Sequence, residues 1–144
     1  MTFELNIPIS GDAPFGIYLK DDKATYRTLR NAFNAAQASF RGLSETPESL
    51  INRDLQGANA AAWSSLREGC ERTLAETSKD LEVICWWVAA MLHGDNPLEN
   101  TSKALQALAD YVGSNLDHLQ PILPEKKLKG ETSEAQGAEI AELK

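Results

Sequence analysis

The chain has little of what enzymes use most. Among its 144 residues there are only two cysteines and two histidines. Cys70 and Cys85 form no CxxC pair, and His93 and His118 stand far apart without an HExxH around them, so the ligand spacing of a metal site is missing. The nine glycines sit singly at turns, never in a GxGxxG or GxxxxGK[ST] phosphate cradle. Cations are also scarce, with 14 Lys and Arg against 21 Asp and Glu and a net charge of -7. A domain that neutralises phosphates normally carries the opposite sign, so nucleic acid is not an expected partner. No apolar run reaches the roughly 18 residues of a membrane span, and no basic segment leads into an apolar one at Met1. The expectation is a soluble cytoplasmic segment with reduced cysteines buried in apolar helix faces, no cofactor, no metal and no membrane insertion.

Hydrophobic residues make up 42% and charged residues 24%, the balance of one globular domain with a real core. The most apolar stretch is Ser78 to Leu92. After Glu82 it carries no charge until it ends at His93 and Gly94, the pattern of a helix buried on most of its circumference.

The chain opens with Phe3, Leu5, Ile7 and Ile9 alternating with polar residues. No second strand pattern is there to pair with, so this reads as an extended arm lying across helices. Turn residues follow from Ser10 to Gly16, and Asp21 and Asp22 then suit a helix N-terminus. Helix one, about Lys23 to Arg41, places Tyr26, Leu29, Phe33, Ala36 and Phe40 on one stripe. Arg27, Arg30, Asn31, Asn34 and Gln37 lie off that stripe, on its wet or partner-facing side. Gly42 reads as its C-cap, and Thr46 with Pro47 starts a short helix to about Leu55 that Gly57 breaks. Asn59 can cap a third helix with Trp63, Leu66, Cys70 and Leu74 on one face. Thr77 or Ser78 can cap the fourth, whose main stripe is Leu81, Ile84, Cys85, Val88 and Leu92, with Trp86, Trp87, Ala90 and Met91 extending burial sideways. Adjacent Trp86 and Trp87 point about 100° apart, so both are buried only if this helix is central. A fifth helix from Asn100 or Thr101 carries Leu105, Leu108, Val112, Leu116 and Leu119 and ends before Pro121 and Pro124. A weak sixth begins near Ser133.

These elements predict an all-α, antiparallel bundle of five to six helices with an extended N-terminal arm. The divisions are an arm and the loop leading into the first helix (1–22), a helical domain (23–124), and a linker with a weak terminal helix (125–144).

Few residues invite a catalytic reading. Ser114 and His118 share helical spacing, but a solvated helix end is the plainer account. Ser78-Lys79 resembles a Ser-Lys dyad, yet a serine at a helix start is usually a cap. Asp21-Asp22-Lys23 lacks the alternating oxygens of a calcium loop. Trp63, Trp86 and Trp87 suit packing first and partner anchoring second. The candidate partner-binding residues are Arg27, Arg30, Asn34 and Trp87.

The chain resembles the ImpA-type N-terminal domain of type VI secretion TssA-like proteins. The likeness rests on Ala13-Pro14-Phe15-Gly16-Ile17-Tyr18-Leu19, the Tyr-x-x-Leu-Arg-Asn helix at Tyr26 to Asn31, Trp63 and its ladder, Ser78-Lys79-Asp80-Leu81-Glu82 running into the Trp-bearing helix, and Leu119-Gln120-Pro121. Tyr18-Leu19-Lys20 and the helix from Leu29 to Gln37 running into Glu45-Thr46-Pro47 lean toward the TagA/VasL-like branch. Leu116 stands where many relatives carry a Trp, and the acid at Glu82 is often basic elsewhere. The resemblance implies a non-enzymatic assembly module acting in the cytoplasm through baseplate, tube or sheath subunits of a contractile tail. It also implies that Glu125 to Lys144 begins a linker to further domains. A structural homodimerisation domain is the alternative.

Overall fold

The computed structural model describes residues 3–122. The helical body begins at Asp22, whose carboxylate accepts the Thr25 N–H at 3.2 Å and caps α1, Lys23–Glu45. Gly42 does not stop this helix. The stop is Thr46, held extended at ψ 115° because it precedes Pro47. One 3-10 turn, Pro47–Leu50, replaces the expected short helix. Asn52 then accepts the N–H groups of Asp54 and Leu55, both at 3.1 Å, and opens α2, Arg53–Glu76. Gly57 lies inside α2 without breaking it. A single glycine costs about 1 kcal/mol against alanine, and the alanines at 58 and 60 to 62 oppose a break.

Asp80, rather than Thr77 or Ser78, caps α3, Leu81–Leu92, by accepting from the N–H groups of Glu82 and Val83. Asn96 takes the left-handed conformation at φ 43° and leads into α4, Pro97–Ser114. That start is about a turn earlier than the expected Asn100, because proline fits the first helical position, where its missing N–H is no loss. Short 3-10 turns at Leu19–Asp21 and Leu116–His118 bracket the body. The described residues therefore hold four α-helices instead of five to six. The expected helix from Ser133 and the segment 125–144 lie outside them.

The helices pack in chain order, α1 on α2, α2 on α3 and α3 on α4, which puts α3 between α2 and α4. Its inner face is Val83, Ile84, Trp86, Trp87 and Ala90. The expected stripe was turned too far. Glu82, Cys85 and Leu92 fall on the outer side, so Cys85 is exposed and Leu92 is 52% exposed, while Cys70 is buried as expected. On α4 the inward line is Ala104 and Tyr111 with Leu108 and Val112 half-buried. Leu105 and Leu116, read as core from their size, are mostly exposed.

Trp86 and Trp87 are both buried, at 8% and 4% exposure, because α3 is the central helix. Trp86→Ala and Trp87→Ala should each destabilise the fold by about 3–5 kcal/mol. Urea denaturation of the two variants checks this, and a small loss at either position would mean that its ring is not part of the core.

Candidate functional site

Ser78, Lys79 and Asp80 form the extended joint between α2 and α3, and all three are buried. Each is fixed from outside its own segment. The Ser78 hydroxyl donates to the Ile17 carbonyl at 2.7 Å. On the backbone, the Ile17 N–H donates to Thr77 at 3.1 Å and the Lys79 N–H to Phe15 at 2.9 Å. From the other side, the Leu81 N–H reaches the Gln120 carbonyl at 3.0 Å, and Gln120 Nε2 donates to Gly16 at 3.1 Å. The arm, the α2–α3 joint and the chain after α4 therefore meet here. Gly16, at φ +81°, has no room for a side chain, since an added Cβ would collide with Thr77 and Ser78 backbone.

Lys79 is the largest fully buried side chain in the described residues. Its Nζ donates to the Leu5 carbonyl at 2.8 Å and lies 5.7 Å from the centre of the Phe3 ring. Burial lowers its pKa to about 8. Burial also raises the Asp80 carboxyl, against the lowering effect of its two backbone donors. The Cys70 thiol is pushed up to about 12 by burial, and Cys85 is pushed up by burial and then by Asp80 and Glu82, so both stay protonated near neutrality. Ser114 ends α4 and His118 belongs to the next 3-10 turn, stacked on Phe15 at 5.1 Å, so the helical spacing that would join them is broken.

A chain of aromatic rings runs from this end of the bundle toward the other. Tyr26 lies against Trp86 (6.0 Å), Trp86 on Phe33 (5.3 Å), Phe33 against Trp63 (6.4 Å), Trp63 on His93 (4.0 Å) and His93 against Phe40 (4.7 Å). Through it α1 and α3 meet over α2. His93 caps the C-terminus of α3, and burial lowers its pKa. The Tyr26 hydroxyl donates to Glu82 at 2.6 Å, which with burial raises that phenol to about 12.

The predicted motif residues Trp63, Ser78, Lys79, Asp80, Trp86 and Trp87 are all buried, and Leu81 is half-buried. Trp87, also read as a contact candidate, is 4% exposed, and what it leaves open faces a cavity rather than the surface. Phe3 meets it edge-on at 5.3 Å, and its indole N–H points to Glu71 at 3.4 Å. A cavity of about 540 Å³ beside it is closed on one side by the arm residues Phe3 to Asn6 and on another by α4. Arg27, Arg30 and Asn34 are exposed on α1. Gln37 and Arg41 continue their row at alternating steps of three and four, so the five residues make one straight stripe. Gln37 and Arg41 also border a second cavity of about 450 Å³, lined by Phe33, Phe40, Trp63 and His93. Arg41 and His93 are not among the candidate residues read from the sequence, and Gln120 enters there only within Leu119-Gln120-Pro121. Arg41 was legible from its spacing, whereas the roles of His93 and Gln120 depend on long-range packing that carries no local signal.

Gly16→Ala should cost more than about 2 kcal/mol, since backbone atoms must move to admit the methyl group. A denaturation midpoint close to wild type would show that the arm detaches freely. Lys79 makes a pH prediction. Its folded pKa of about 8 lies below the ordinary 10.5, so the unfolded chain binds more protons and stability rises as pH increases through 8. Between pH 8 and 9 Lys79 should contribute a gain of about 1 kcal/mol, partly offset over the same interval because the Cys70 thiol, near 9.0 when unfolded and about 12 when folded, acts in the opposite sense, so the difference between wild type and a lysine variant isolates it. Lys79→Met should abolish that gain in parallel denaturation series, and an unchanged slope would assign it to another group.

No curated protein and no solved structure matches this chain. A family model does, described as ImpA, N-terminal, type VI secretion system, and it matches residues 7–143, nearly the whole sequence. Its span covers the buried joint, the arm from Ile7 onward and all four helices, and the chain therefore belongs to the ImpA N-terminal family of the type VI secretion system.

Proposed function

We propose that the domain is a non-enzymatic docking module that helps to coordinate or cap the assembly of a contractile tail, working in the cytoplasm through baseplate, tube or sheath subunits. The family match over residues 7–143 carries this reading. The geometry supports it. The signature residues are occupied in holding the fold, the thiols are held protonated, and an open polar helix face lies beside an aromatic cavity. Among the described residues no helix is long and apolar enough to cross a membrane.

Within the family we place the protein in the TagA/VasL-like branch, on the Tyr18-Leu19-Lys20 segment and the helix running into Glu45-Thr46-Pro47. Pairwise co-purification of the chain with baseplate, tube and sheath subunits of the same organism should recover at least one partner. Failure with every subunit would overturn the proposal. Imaging of fluorescent sheaths after gene deletion separates the branches. Overlong sheaths that fail to stop are expected for a distal cap, and a shortage of sheaths would instead indicate priming.

A further inference from the structure

We infer that the open face of α1 docks an acidic helical segment of a partner protein, one that also presents a large apolar side chain. The inference rests on the docking-module reading and assigns it a face and a partner chemistry. Helix α1 has four cationic residues and a single carboxylate, Glu45 at its last position, in a chain whose net charge is -7. Charge is thus segregated onto this helix. Arg27, Arg30 and Arg41 are exposed, and no ion pair engages them among the described residues, whereas Arg67 and Lys103 are each paired along their own helices.

The stripe from Arg27 to Arg41 spans about 21 Å, or four helical turns, and its two amide residues lie between the guanidinium groups. A partner helix of similar length with carboxylates along one face matches that spacing, and arginine pairs well with carboxylates in fork geometry. At its Arg41 end the stripe borders the cavity of about 450 Å³ where Phe40, itself 44% exposed, stands beside the stacked Trp63 and His93. One leucine-sized or aromatic side chain would fill part of that space, anchoring a helix that the arginines orient. At the other end Glu82 lies beside Tyr26, so the attraction to acid is strongest from Arg30 to Arg41. A nucleic acid is disfavoured by the acidic remainder of the chain, and a lipid surface by the polar character of the stripe.

The test titrates the purified, isotope-labelled chain with a synthetic helical peptide of about four turns, carrying Glu along one face and one Leu. Backbone amide shifts should centre on Arg30, Asn34, Gln37, Phe40 and Arg41. Binding should weaken with salt, fall about tenfold or more in Arg30→Glu/Arg41→Glu, and fall similarly when Gln replaces Glu in the peptide. Thermal melts confirm that the double variant remains folded. The inference is overturned by absent binding, by shifts centred elsewhere, or by equal affinity for the Gln peptide. It is equally overturned if single-stranded DNA or phosphatidylglycerol vesicles engage the stripe more tightly than the peptide, or if the double variant abolishes a dimer, which would make the occupant a second copy. Tail-subunit binding that survives the double variant would remove this face and leave the docking-module function standing.

Discussion

The fold depends on one buried joint. Between α2 and α3 the chain is extended for the residues Ser78 and Lys79, and an extended segment inside a helical bundle leaves its backbone polar groups without helical partners. Two remote segments supply them. Phe15 to Ile17 pairs on one side and Gln120 on the other, and Gln120 also bonds to Gly16, so the three strands of chain are tied to one another. The N-terminal arm is thereby tied to the joint by an isolated bridge, Gly16 with Ser78, and the chain after α4 by another, Asp80 with Gln120, with no sheet among the described residues. Lys79 adds a buried ammonium to this joint. Its hydrogen bond to Leu5 and its place near Phe3 fix the outermost part of the arm over Trp87. Such a group is unfavourable to bury and costly to leave unpaired, which favours a single position of the arm over alternatives.

The length of α3 is the second constraint. It runs about 18 Å, while α1 and α2 each run about 35 Å, so it supports only part of the hairpin those two helices form. The end of α3 is covered by ring stacking: His93 lies flat on Trp63 with Phe40 at its edge. Beyond that point the hairpin continues to a tip where Leu50 and Ile51 are 87% and 84% exposed. The aromatic chain from Tyr26 to Phe40 follows from this geometry, since wide rings span the gap between two helices that both rest on a third.

Much of this was legible in the sequence, and the misses have physical causes. The apolar period located α1, α2, α3 and α4, and the stripe Tyr26, Leu29, Phe33, Ala36 and Phe40 does face the bundle. The boundaries differ where a glycine reads as a stop. Gly42 and Gly57 both lie inside helices, while the real end of α1 was written in Pro47 through its effect on Thr46. Rotational register failed where size stood in for burial. Leu92, Leu105 and Leu116 are exposed, whereas small Ala90 and Ala104 are buried at the approach of α3 and α4. A hydroxyl reads as the cap of α3 in the sequence because nothing local shows that Ser78 is engaged with Ile17, which lies 61 residues away.

The same contrast bears on where function sits. The segment Ser78 to Glu82, on which the family likeness is read, is buried in all but its last two residues, and its polar groups are already engaged with the arm and the chain end. A partner could reach it only by dismantling the joint. The residues that carry the family likeness here are thus taken up by the fold, and the exposed positions on which the proposed docking rests are ones the core leaves unconstrained. On α1 packed and open positions lie side by side. Leu29 and Ala36 are set by the packing of α1 on the body, whereas Arg30, Asn34 and Arg41 are exposed, and neither arginine makes an ion pair among the described residues. A concentration of positive charge on that face, in an otherwise acidic chain, is the feature on which the proposed docking rests.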